Sequence, residues 1–245
     1  MPLRWMAVIP ARYGSSRFPG KPLALVAGLP MVHQVWNRCR ESGAFAEIAV
    51  ATDDERIARA VSQFGGTAVM TSPTCHTGTE RVAEVARSRL DVEGLVNVQG
   101  DEPAIHPPAL AQLVAAFDDP DIRMATLVRP LAATDLGNSN LVKAVLAATG
   151  DALYFSRADI PFHRDERKGG LRLRHGHLGI YAYRRETLLT LARLPPSPLE
   201  QVENLEQLRA LENGISIRCV LTSHSSVGVD APEDVALAEA LLRFR

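Results

Sequence analysis

The stretch EIAVATDDERIARAVSQFGGTAVMT, residues 47–71, decides the fold class of this chain. It opens on EIAVAT, a short apolar run that is typical of a strand buried on both faces of a sheet. An amphipathic segment and a second short apolar run follow it. We therefore expect a strand over Glu47–Thr52, a helix over Asp54–Phe64 and a strand over Thr67–Thr71. Strands that alternate with helices in this way indicate an α/β protein.

The same alternation continues on both sides of this stretch. Each further segment has either the short apolar run of a buried strand or apolar residues at helical spacing. The series predicts a mostly parallel central sheet that is covered by helices on both faces, in a doubly wound arrangement. The predicted strands are Trp5–Ile9 and Leu95–Gly100, and the predicted helices cover 31–42, Thr79–Arg89 and Pro107–Phe117.

After residue 123 the regular alternation gives way to a β-rich region. MATLVRP at 124–130 and LVKAVLAATGDALYFSR at 141–157 predict strands, the last two joined in a hairpin around Thr149–Asp151. The basic segment Arg157–Arg174 is either a mobile lid or a solvated surface loop. Because no linker or repeat divides the chain, we expect one domain over 1–245, with a small inserted hairpin and lid region around 140–183.

The last third of the chain predicts two more strands and two helices. HLGIYAY at 177–183 and ISIRCVLT at 215–222 have strand character, and a closing helix is expected over 232–244. Between them, one helix should begin near Pro198 and end at Gly214. Its apolar residues recur at every third position, so the apolar stripe drifts around the helix. We expect this helix to contact more than one neighbour, a second subunit being one candidate.

Composition excludes several classes of protein. No segment reaches the roughly 18 uninterrupted apolar residues of a membrane span, and the first apolar run is too short for an export signal. With a formal net charge of −1, the protein lacks the long-range positive field that attracts a protein to nucleic acid or anionic membranes. The three cysteines, Cys39, Cys75 and Cys219, form neither a disulfide framework nor a C-x-x-C motif. We expect a cytoplasmic protein without nucleic-acid or membrane partners.

The loop after the first strand, PARYGSSRFPGKP at 10–22, has the composition of a phosphate site. Glycines permit a close approach of the backbone, and Arg12, Arg17 and Lys21 supply three cations within ten positions. Backbone N–H groups and guanidinium groups together suit the oxygens of a polyphosphate. The loop matches neither G-x-x-x-x-G-K-[ST] nor G-x-G-x-x-G. The alternative is that these cations are only solvated.

VNVQGDEP, residues 96–103, places Asp101 and Glu102 directly after a buried strand. Ligands of open α/β sheets bind at the carboxyl ends of the strands, which is where this loop and the cationic loop both lie. A carboxylate at such a position favours a hard divalent cation, and Mg²⁺ is commonly held by one or two carboxylates plus substrate phosphates. The alternative is that Asp101 caps a helix or a turn.

Two other segments have the residues that begin a helix. In VDAPED at 229–234, helix capping accounts for Asp230 without any function, and on the residues alone this is the interpretation we favour. In HTGTERVAEV at 76–85, Thr79 and the acidic residues are likewise suited to a helix start. Gly78 and Arg81 of that segment are candidates for ligand contact.

Seven motifs in this order resemble the 3-deoxy-manno-octulosonate cytidylyltransferase family, also called CMP-Kdo synthetases. They are IPARYGSSRFPGKPL, HTGTERVAEV, VNVQGDEP, ALYFSRADIP, HLGIYAYR, SPLEQVENLEQLR and GVDAPEDV, and they extend over nearly the whole chain. The resemblance implies the three-layer nucleotide-diphospho-sugar transferase fold and a Mg²⁺-dependent nucleotidyltransferase that acts on CTP and the sugar acid Kdo. It also implies a homodimer whose product, CMP-Kdo, serves lipopolysaccharide biosynthesis.

The resemblance also implies roles for individual residues. Lys21, Arg17 and Asp101 become catalytic, and Asp101 and Asp230 become the metal ligands, which reverses the capping interpretation of Asp230. On the residues alone, His177 and Tyr181 are equally consistent with strand positions, and Glu206 with a surface ion pair. The implied nucleotide-binding residues are Arg12, Arg17, Lys21, Gly78, Thr79 and Arg81, and the implied sugar-acid residues are Gln99, Arg157, His177, Tyr181 and Glu206.

The expected reaction is attack by the anomeric hydroxyl of Kdo on the α-phosphorus of CTP, in line with departing pyrophosphate. Three alternatives stay open. In the first, the enzyme transfers CMP to a related sugar acid such as 8-amino-Kdo or a sialic acid. In the second, the chain is a glycosyltransferase built on a similar sheet. In the third, it is a regulator that binds a nucleotide and catalyses no reaction. A glycosyltransferase would often carry a D-x-D pair where this chain has Asp101, Glu102 and Pro103.

Overall fold

The structure, a computed structural model, describes residues 4–14, 18–164 and 173–243. The strands are β1 (Trp5–Ala11), β2 (Leu25–Val26), β3 (Leu29–Pro30), β4 (Glu47–Thr52), β5 (Thr67–Met70), β6 (Gly94–Asn97), β7 (Met124–Pro130), β8 (Lys143–Leu146), β9 (Ala152–Ser156), β10 (His175–Arg184) and β11 (Arg218–Leu221). The helices are α1 (Met31–Glu41), α2 (Glu55–Gln63), α3 (Gly78–Ser88), α4 (Pro107–Ala115), α5 (Arg185–Leu191), α6 (Pro198–Glu203), α7 (Gln207–Glu212) and α8 (Asp234–Arg243).

Among the described residues, nine strands form one sheet, with the central order β11-β7-β10-β6-β1-β4-β5. Strands β6, β1, β4 and β5 are mutually parallel, and β11 is parallel to β7. Strand β10 runs antiparallel to both of its neighbours, β6 and β7. The prediction of a mostly parallel α/β sheet is therefore confirmed. Because β1 and β6 are parallel neighbours, the loops that follow them begin side by side.

Apolar side chains cover both faces of the sheet, as the continuous apolar strands predict. In β1, Met6 and Val8 belong to one buried cluster, which also contains Val82 of α3. Ala7 and Ile9 of the same strand belong to a second buried cluster, together with residues of α1, α2 and α4. The sheet is thus the middle of three layers.

The hairpin predicted around Thr149–Asp151 is present as β8 and β9, joined through Gly150, whose φ of +86° suits glycine. Strand β8 also pairs with β10, which attaches the hairpin to the main sheet. The ammonium of Lys143 is fully buried beneath it and donates to the carbonyls of Asn138, at 2.6 Å, and Arg157, at 3.0 Å. Asp159 lies 3.2 Å from the same nitrogen and supplies the compensating charge.

The prediction of one helix over 198–214 is wrong, because two helices occupy this segment. Helix α6 ends at Glu203, and Asn204 takes the left-handed conformation with a φ of +52°, which asparagine tolerates better than most residues. Arg157 donates to the carbonyls of Glu203 and Asn204 and so satisfies backbone acceptors at the break. The break turns Leu205 and Leu208 into the core and leaves Val202 83% exposed.

Other predicted boundaries shift only slightly. Strand β6 ends at Asn97, three residues before the predicted end, and just beyond it the Glu102 N–H donates to the Gln99 carbonyl in a turn. Residues 165–172 of the predicted lid lie outside the described residues. Within the described part of the chain, no helix is both long and apolar enough to cross a bilayer.

Candidate active site

A cavity of about 330 Å³ opens where β1 and β6 end. Its wall combines cations from the loop after β1, carboxylates from two later loops, and the start of α3. The lining residues are Pro10, Ala11, Arg12, Lys21, Pro22, Cys75, His76, Thr77, Gly78, Arg81, Gln99, Gly100, Asp101 and Asp230. The cavity therefore collects side chains that lie more than 200 positions apart in the chain, at the sheet edge where open α/β proteins bind their ligands.

Lys21 is the centre of the charged group in this cavity. Its Nζ donates to Asp101 Oδ2 at 2.7 Å, to the Val229 carbonyl at 2.9 Å and to Asp230 Oδ1 at 3.5 Å. The Lys21 side chain is only 15% exposed, whereas those of Asp101 and Asp230 are 32% and 53% exposed. One ammonium thus joins the two carboxylates that the family resemblance implies as metal ligands.

Two bonds hold the loops of Asp101 and Asp230 against each other. The Val229 N–H donates to the Asp101 carbonyl at 2.8 Å, and the Ser226 hydroxyl donates to Glu102 Oε2. At the start of α8, Asp234 accepts the N–H groups of Asp230 and Ala231, while the Asp230 carboxylate approaches Lys21. The neighbouring carboxylates therefore differ in role, since Asp101 contacts Lys21 and Glu102 contacts the opposite loop.

The environment of Glu102 disfavours its charged form relative to an exposed glutamate. Burial raises the pKa of this carboxyl to about 7, although the hydrogen bond from Ser226 opposes the shift. The nearby charges of Asp101 and Asp230 raise the pKa further, and Lys21 lowers it. A carboxyl that is partly protonated at neutral pH must lose its proton before it can bind a metal.

The end of β1 lies very close to the backbone that follows β6 and to the start of α3. A Cβ on Gly100 would lie 2.6 Å from the Pro10 carbonyl oxygen, and one on Gly78 would lie 3.2 Å from Pro10 Cγ. The backbone after β6 therefore packs directly on the end of β1, and Gly100 is required there by the close approach of two backbones.

Asp101 and Asp230 fit a Mg²⁺ ion by the chemistry of their donor atoms. Both are hard oxygen ligands, and both already share one cation, the ammonium of Lys21. The described residues contain no group of three or more histidine, cysteine, aspartate or glutamate side chains that could hold a metal. Two protein carboxylates, completed by phosphate oxygens and water, are a common set for Mg²⁺ in nucleotide enzymes.

The predicted nucleotide residues come from two segments, the loop after β1 and the first turn of α3. Arg12 is exposed and lines the cavity beside Lys21, while Arg17 lies outside the described residues. Gly78 lines the cavity at the first turn of α3. Arg81 is buried at the same wall and donates to Thr71, and to Asp53 at 3.2 Å.

A predicted nucleotide residue and a predicted sugar-acid residue contact each other. Thr79 Oγ1 donates to Glu206 Oε2 at 2.6 Å, and Thr77 Oγ1 donates to Glu206 Oε1 at 3.0 Å. Burial raises the pKa of Glu206, and the two threonine hydrogen bonds oppose this shift. Glu206 therefore connects the start of α7 to the start of α3.

Two other predicted sugar-acid residues lie on β10, next to the strand that leads to Gln99. Tyr181 pairs with Asn97 of β6, and Gln99 Nε2 donates to Asn97 Oδ1 at 3.3 Å. The Tyr181 hydroxyl is buried and has no hydrogen-bond partner within the described residues, and burial raises its pKa well above the usual value. His177 Nε2 lies 2.9 Å from Thr126 Oγ1, and burial lowers the pKa of His177 to about 3.

Arg157 is directed toward backbone oxygens and does not line the cavity. Its guanidinium donates to the carbonyls of Glu203 at 2.8 Å, Ser139 at 3.2 Å and Asn204 at 3.3 Å. Its own N–H donates to Glu203 Oε2 at 3.0 Å, so Glu203 holds Arg157 from both sides. In this arrangement Arg157 fixes the break between α6 and α7.

Several residues of the site were missed by sequence reasoning. Thr77 accepts the Glu80 N–H as the N-cap of α3 and also binds Glu206, and the pattern Thr77-x-x-Glu80 was a capping signal that could have identified it. Ser226 and Thr126 carry no such signal, because their roles depend on partners more than 50 residues away.

Comparisons with known proteins show which family this chain is similar to. A family model described as Cytidylyltransferase matches residues 6–217. A 3-deoxy-manno-octulosonate cytidylyltransferase of Myxococcus xanthus is 57% identical to this chain over 99% of it and 98% of the relative. One from Geobacter metallireducens is 50% identical over 98% of each chain.

Solved structures give the same result at the level of the fold. A CMP:2-keto-3-deoxy-manno-octonic acid synthetase complexed with CTP superposes with a TM-score of 0.93, at 42% identity over 98% of this chain and 99% of that one. A candidate glucose-1-phosphate thymidylyltransferase of Bacillus anthracis reaches a TM-score of 0.69 at 16% identity, over 98% and 95% of the two chains. At that identity the second likeness shows the fold alone. Together they confirm the predicted nucleotidyltransferase fold.

Proposed function

Because the chain belongs to the 3-deoxy-manno-octulosonate cytidylyltransferase family, we propose that it transfers CMP from CTP to the anomeric hydroxyl of Kdo. The reaction releases pyrophosphate and gives CMP-Kdo, which serves lipopolysaccharide biosynthesis. The observation that carries the proposal is the cavity in which Lys21 contacts both Asp101 and Asp230 beside Arg12. It combines cations for a triphosphate with two oxygen ligands for a metal.

Lys21 and Arg12 bind the triphosphate in this proposal, with Arg17 as a third cation from the same loop. Their charges stabilise the negative charge that develops on pyrophosphate as the bond to the α-phosphorus breaks. The anomeric hydroxyl of the sugar attacks from the opposite side, so no covalent enzyme intermediate is required. Most of the rate enhancement then comes from positioning and charge stabilisation.

Mg²⁺ is the proposed cofactor, and Asp101 and Asp230 are its proposed ligands. When bound, the metal neutralises phosphate charge and polarises the α-phosphate. We predict that Asp101→Asn lowers kcat by about a thousandfold, the scale of a lost electrostatic contact in catalysis. Pyrophosphate release measured against Mg²⁺ concentration checks this. Wild-type activity of Asp101→Asn at limiting Mg²⁺ would show that Asp101 is not a ligand.

The proposed sugar-acid site consists of Gln99, His177, Tyr181 and Glu206, with Arg157 acting at its border. The Thr126 hydroxyl donates its proton to the Ile180 carbonyl at 2.8 Å, so His177 Nε2–H donates to Thr126 and Nδ1 is left as an acceptor. With a pKa of about 3, His177 is neutral at physiological pH, and its Nδ1 can accept a hydrogen bond from a sugar hydroxyl. The buried Tyr181 hydroxyl offers a donor for an oxygen of the sugar acid.

One assay tests the activity and its acceptor together. Pyrophosphate release should be measured with CTP or UTP, each combined with Kdo, 8-amino-Kdo or a sialic acid. We expect the highest kcat/KM for CTP with Kdo, because specificity is a ratio of kcat/KM values. A higher value for another sugar acid would replace Kdo as the substrate, and tight CTP binding without turnover would favour a regulator.

A homodimer and a cytoplasmic location complete the proposal. The exposed apolar side chains of Leu199 and Val202 support a second subunit as the partner of α6. The three cysteines of the described residues are free thiols, which are usual in a reducing compartment. CTP is itself a cytoplasmic metabolite, which supports the same location.

A further inference from the structure

We propose that Lys21 competes directly with the metal for Asp101 and Asp230, so that Mg²⁺ binds together with CTP and not ahead of it. This inference rests on the proposed function, because it concerns the metal ligands assigned there. It adds an order of binding, which the roles of the individual residues do not imply.

The ammonium of Lys21 is fully engaged by the group of atoms that would hold the metal. An ammonium has three N–H donors, and Lys21 has three acceptors, Asp101 Oδ2 at 2.7 Å, the Val229 carbonyl at 2.9 Å and Asp230 Oδ1 at 3.5 Å. The side chain is 15% exposed, so water does not replace these contacts easily. Each N–H donor of the Lys21 ammonium therefore has an acceptor in this position.

A metal and this ammonium cannot use the same oxygens together. Mg²⁺ binds carboxylate oxygens at about 2.0–2.1 Å, which would bring two positive charges onto Asp101 Oδ2. Because the site is partly shielded from water, repulsion between them is stronger than at a free surface. Entry of the metal thus requires Lys21 to leave Asp101 and Asp230.

A nucleoside triphosphate supplies what would draw Lys21 away. Lys21 and Arg12 line one cavity, so phosphate oxygens placed beside Arg12 are within reach of the Lys21 side chain. A phosphate then replaces the carboxylates as the partner of the ammonium, and the metal replaces the ammonium as the partner of the carboxylates. Every charged group keeps a partner of opposite sign, so the exchange avoids an unpaired charge in the cavity.

The competition has a thermodynamic consequence that can be measured without catalysis. If Lys21 and the metal exclude each other, then removing the ammonium must strengthen the binding of the metal alone. Mn²⁺ is a suitable probe, because the electron paramagnetic resonance signal of the free ion reports its concentration. We expect Lys21→Met to bind Mn²⁺, without nucleotide, about tenfold more tightly than the wild type, within the usual range for coupled sites.

Control variants separate direct competition from a general change in charge. Arg12→Met removes one positive charge from the same cavity without removing a contact to Asp101 or Asp230, so we expect its Mn²⁺ affinity to change much less. Lys21→Arg keeps a cation and should bind Mn²⁺ as weakly as the wild type. Adding Asp101→Asn to Lys21→Met should abolish the gain, which assigns it to these carboxylates.

Equal Mn²⁺ affinity of the wild type and Lys21→Met would overturn the inference, and so would an equal gain in Arg12→Met. If Lys21→Met does not fold, as judged by circular dichroism, Lys21→Gln provides the same comparison. Failure of the proposed function has a different signature, because a wild type that releases no pyrophosphate from CTP and any sugar acid contradicts that proposal whatever the Mn²⁺ affinities are.

Discussion

At the scale of single residues, Glu102 has a role different from that of its neighbour. Asp101 contacts Lys21, whereas Glu102 accepts the Ser226 hydroxyl from the loop that leads to Asp230. This bond and the bond from the Val229 N–H to the Asp101 carbonyl hold the loop of Asp101 against the loop of Asp230. Glu102 therefore positions Asp230 and does not need to be a ligand itself.

We predict that Glu102→Ala raises the Mg²⁺ concentration for half-maximal rate several-fold, with the KM for CTP little changed. The reason is that Asp230 loses a support of its loop while the cations of the nucleotide loop stay in place. Glu102→Gln keeps an oxygen that accepts from Ser226 and should stay close to the wild type. Mg²⁺ titrations of pyrophosphate release check both variants, and equal defects in the two would contradict a positioning role.

Sequence reasoning reached some of these residues and not others. Asp101 could be predicted as a residue of the site because its place after a buried strand is visible locally. Asp230 could not be predicted from its own segment, since the residues around it suit a helix start and Lys21 lies 209 positions away. The resemblance to a family, and not the local pattern, paired Asp230 with Asp101.

At the scale of elements, the break between α6 and α7 connects the hairpin to the site. Arg157 at the end of β9 holds the carbonyls of Glu203 and Asn204, and Glu206 follows directly and binds Thr79 of α3. The direction of the chain after the break thus decides where Glu206 lies relative to α3.

We predict that Asn204→Ala destabilises the protein by about 1–2 kcal/mol, the cost of a left-handed conformation for a residue with a Cβ and no local hydrogen bond. Asn204→Gly removes that strain and should be close to neutral. Urea unfolding followed by circular dichroism measures both free energies of unfolding. If alanine and glycine at this position were equally stable, backbone conformation would not be what Asn204 provides.

The sequence could not predict this break. Apolar residues at every third position are compatible with one drifting helix or with two short helices that present different faces. What decides between them is the guanidinium of Arg157, directly after β9 and more than 40 residues earlier, which satisfies the carbonyls at the break. Contacts at this separation are not encoded in the periodicity of the segment itself.

At the scale of the whole molecule, the proposed dimer has a direct test. We predict that Val202→Asp, at a position that is 83% exposed on α6, shifts the protein toward the monomer, because a dimer interface would have to bury this carboxylate. Leu90→Asp, at a position that is 80% exposed between α3 and β6, serves as the matched control and should leave the dimer intact. Sedimentation velocity reports the mass of each variant.

A wild type that sediments as a monomer would contradict the proposal of a homodimer. A dimer that tolerates Val202→Asp would instead place its interface away from α6.

The two halves of the fold differ in how well the sequence predicts them. Over 5–117 the strands of the main sheet and the α-helices could be predicted, because strands buried on both faces and amphipathic helices each leave a clear local pattern, whereas the short pair β2 and β3 was not predicted. In the second half, the strands could be found but not their order. Strand β10 lies between β6 and β7 and is antiparallel to both, and such a placement follows from pairing over long separations in sequence.

The contact of Gly100 with the Pro10 carbonyl has a consequence for how the specificity of this protein can change. The gap between the loop that bears Lys21 and the loop that bears Asp101 is set by one backbone resting on another. Side chains that line the cavity can be exchanged for others that accept a different nucleotide or sugar. The width of the cleft at this point cannot be altered in the same way, so new substrates must fit the present width.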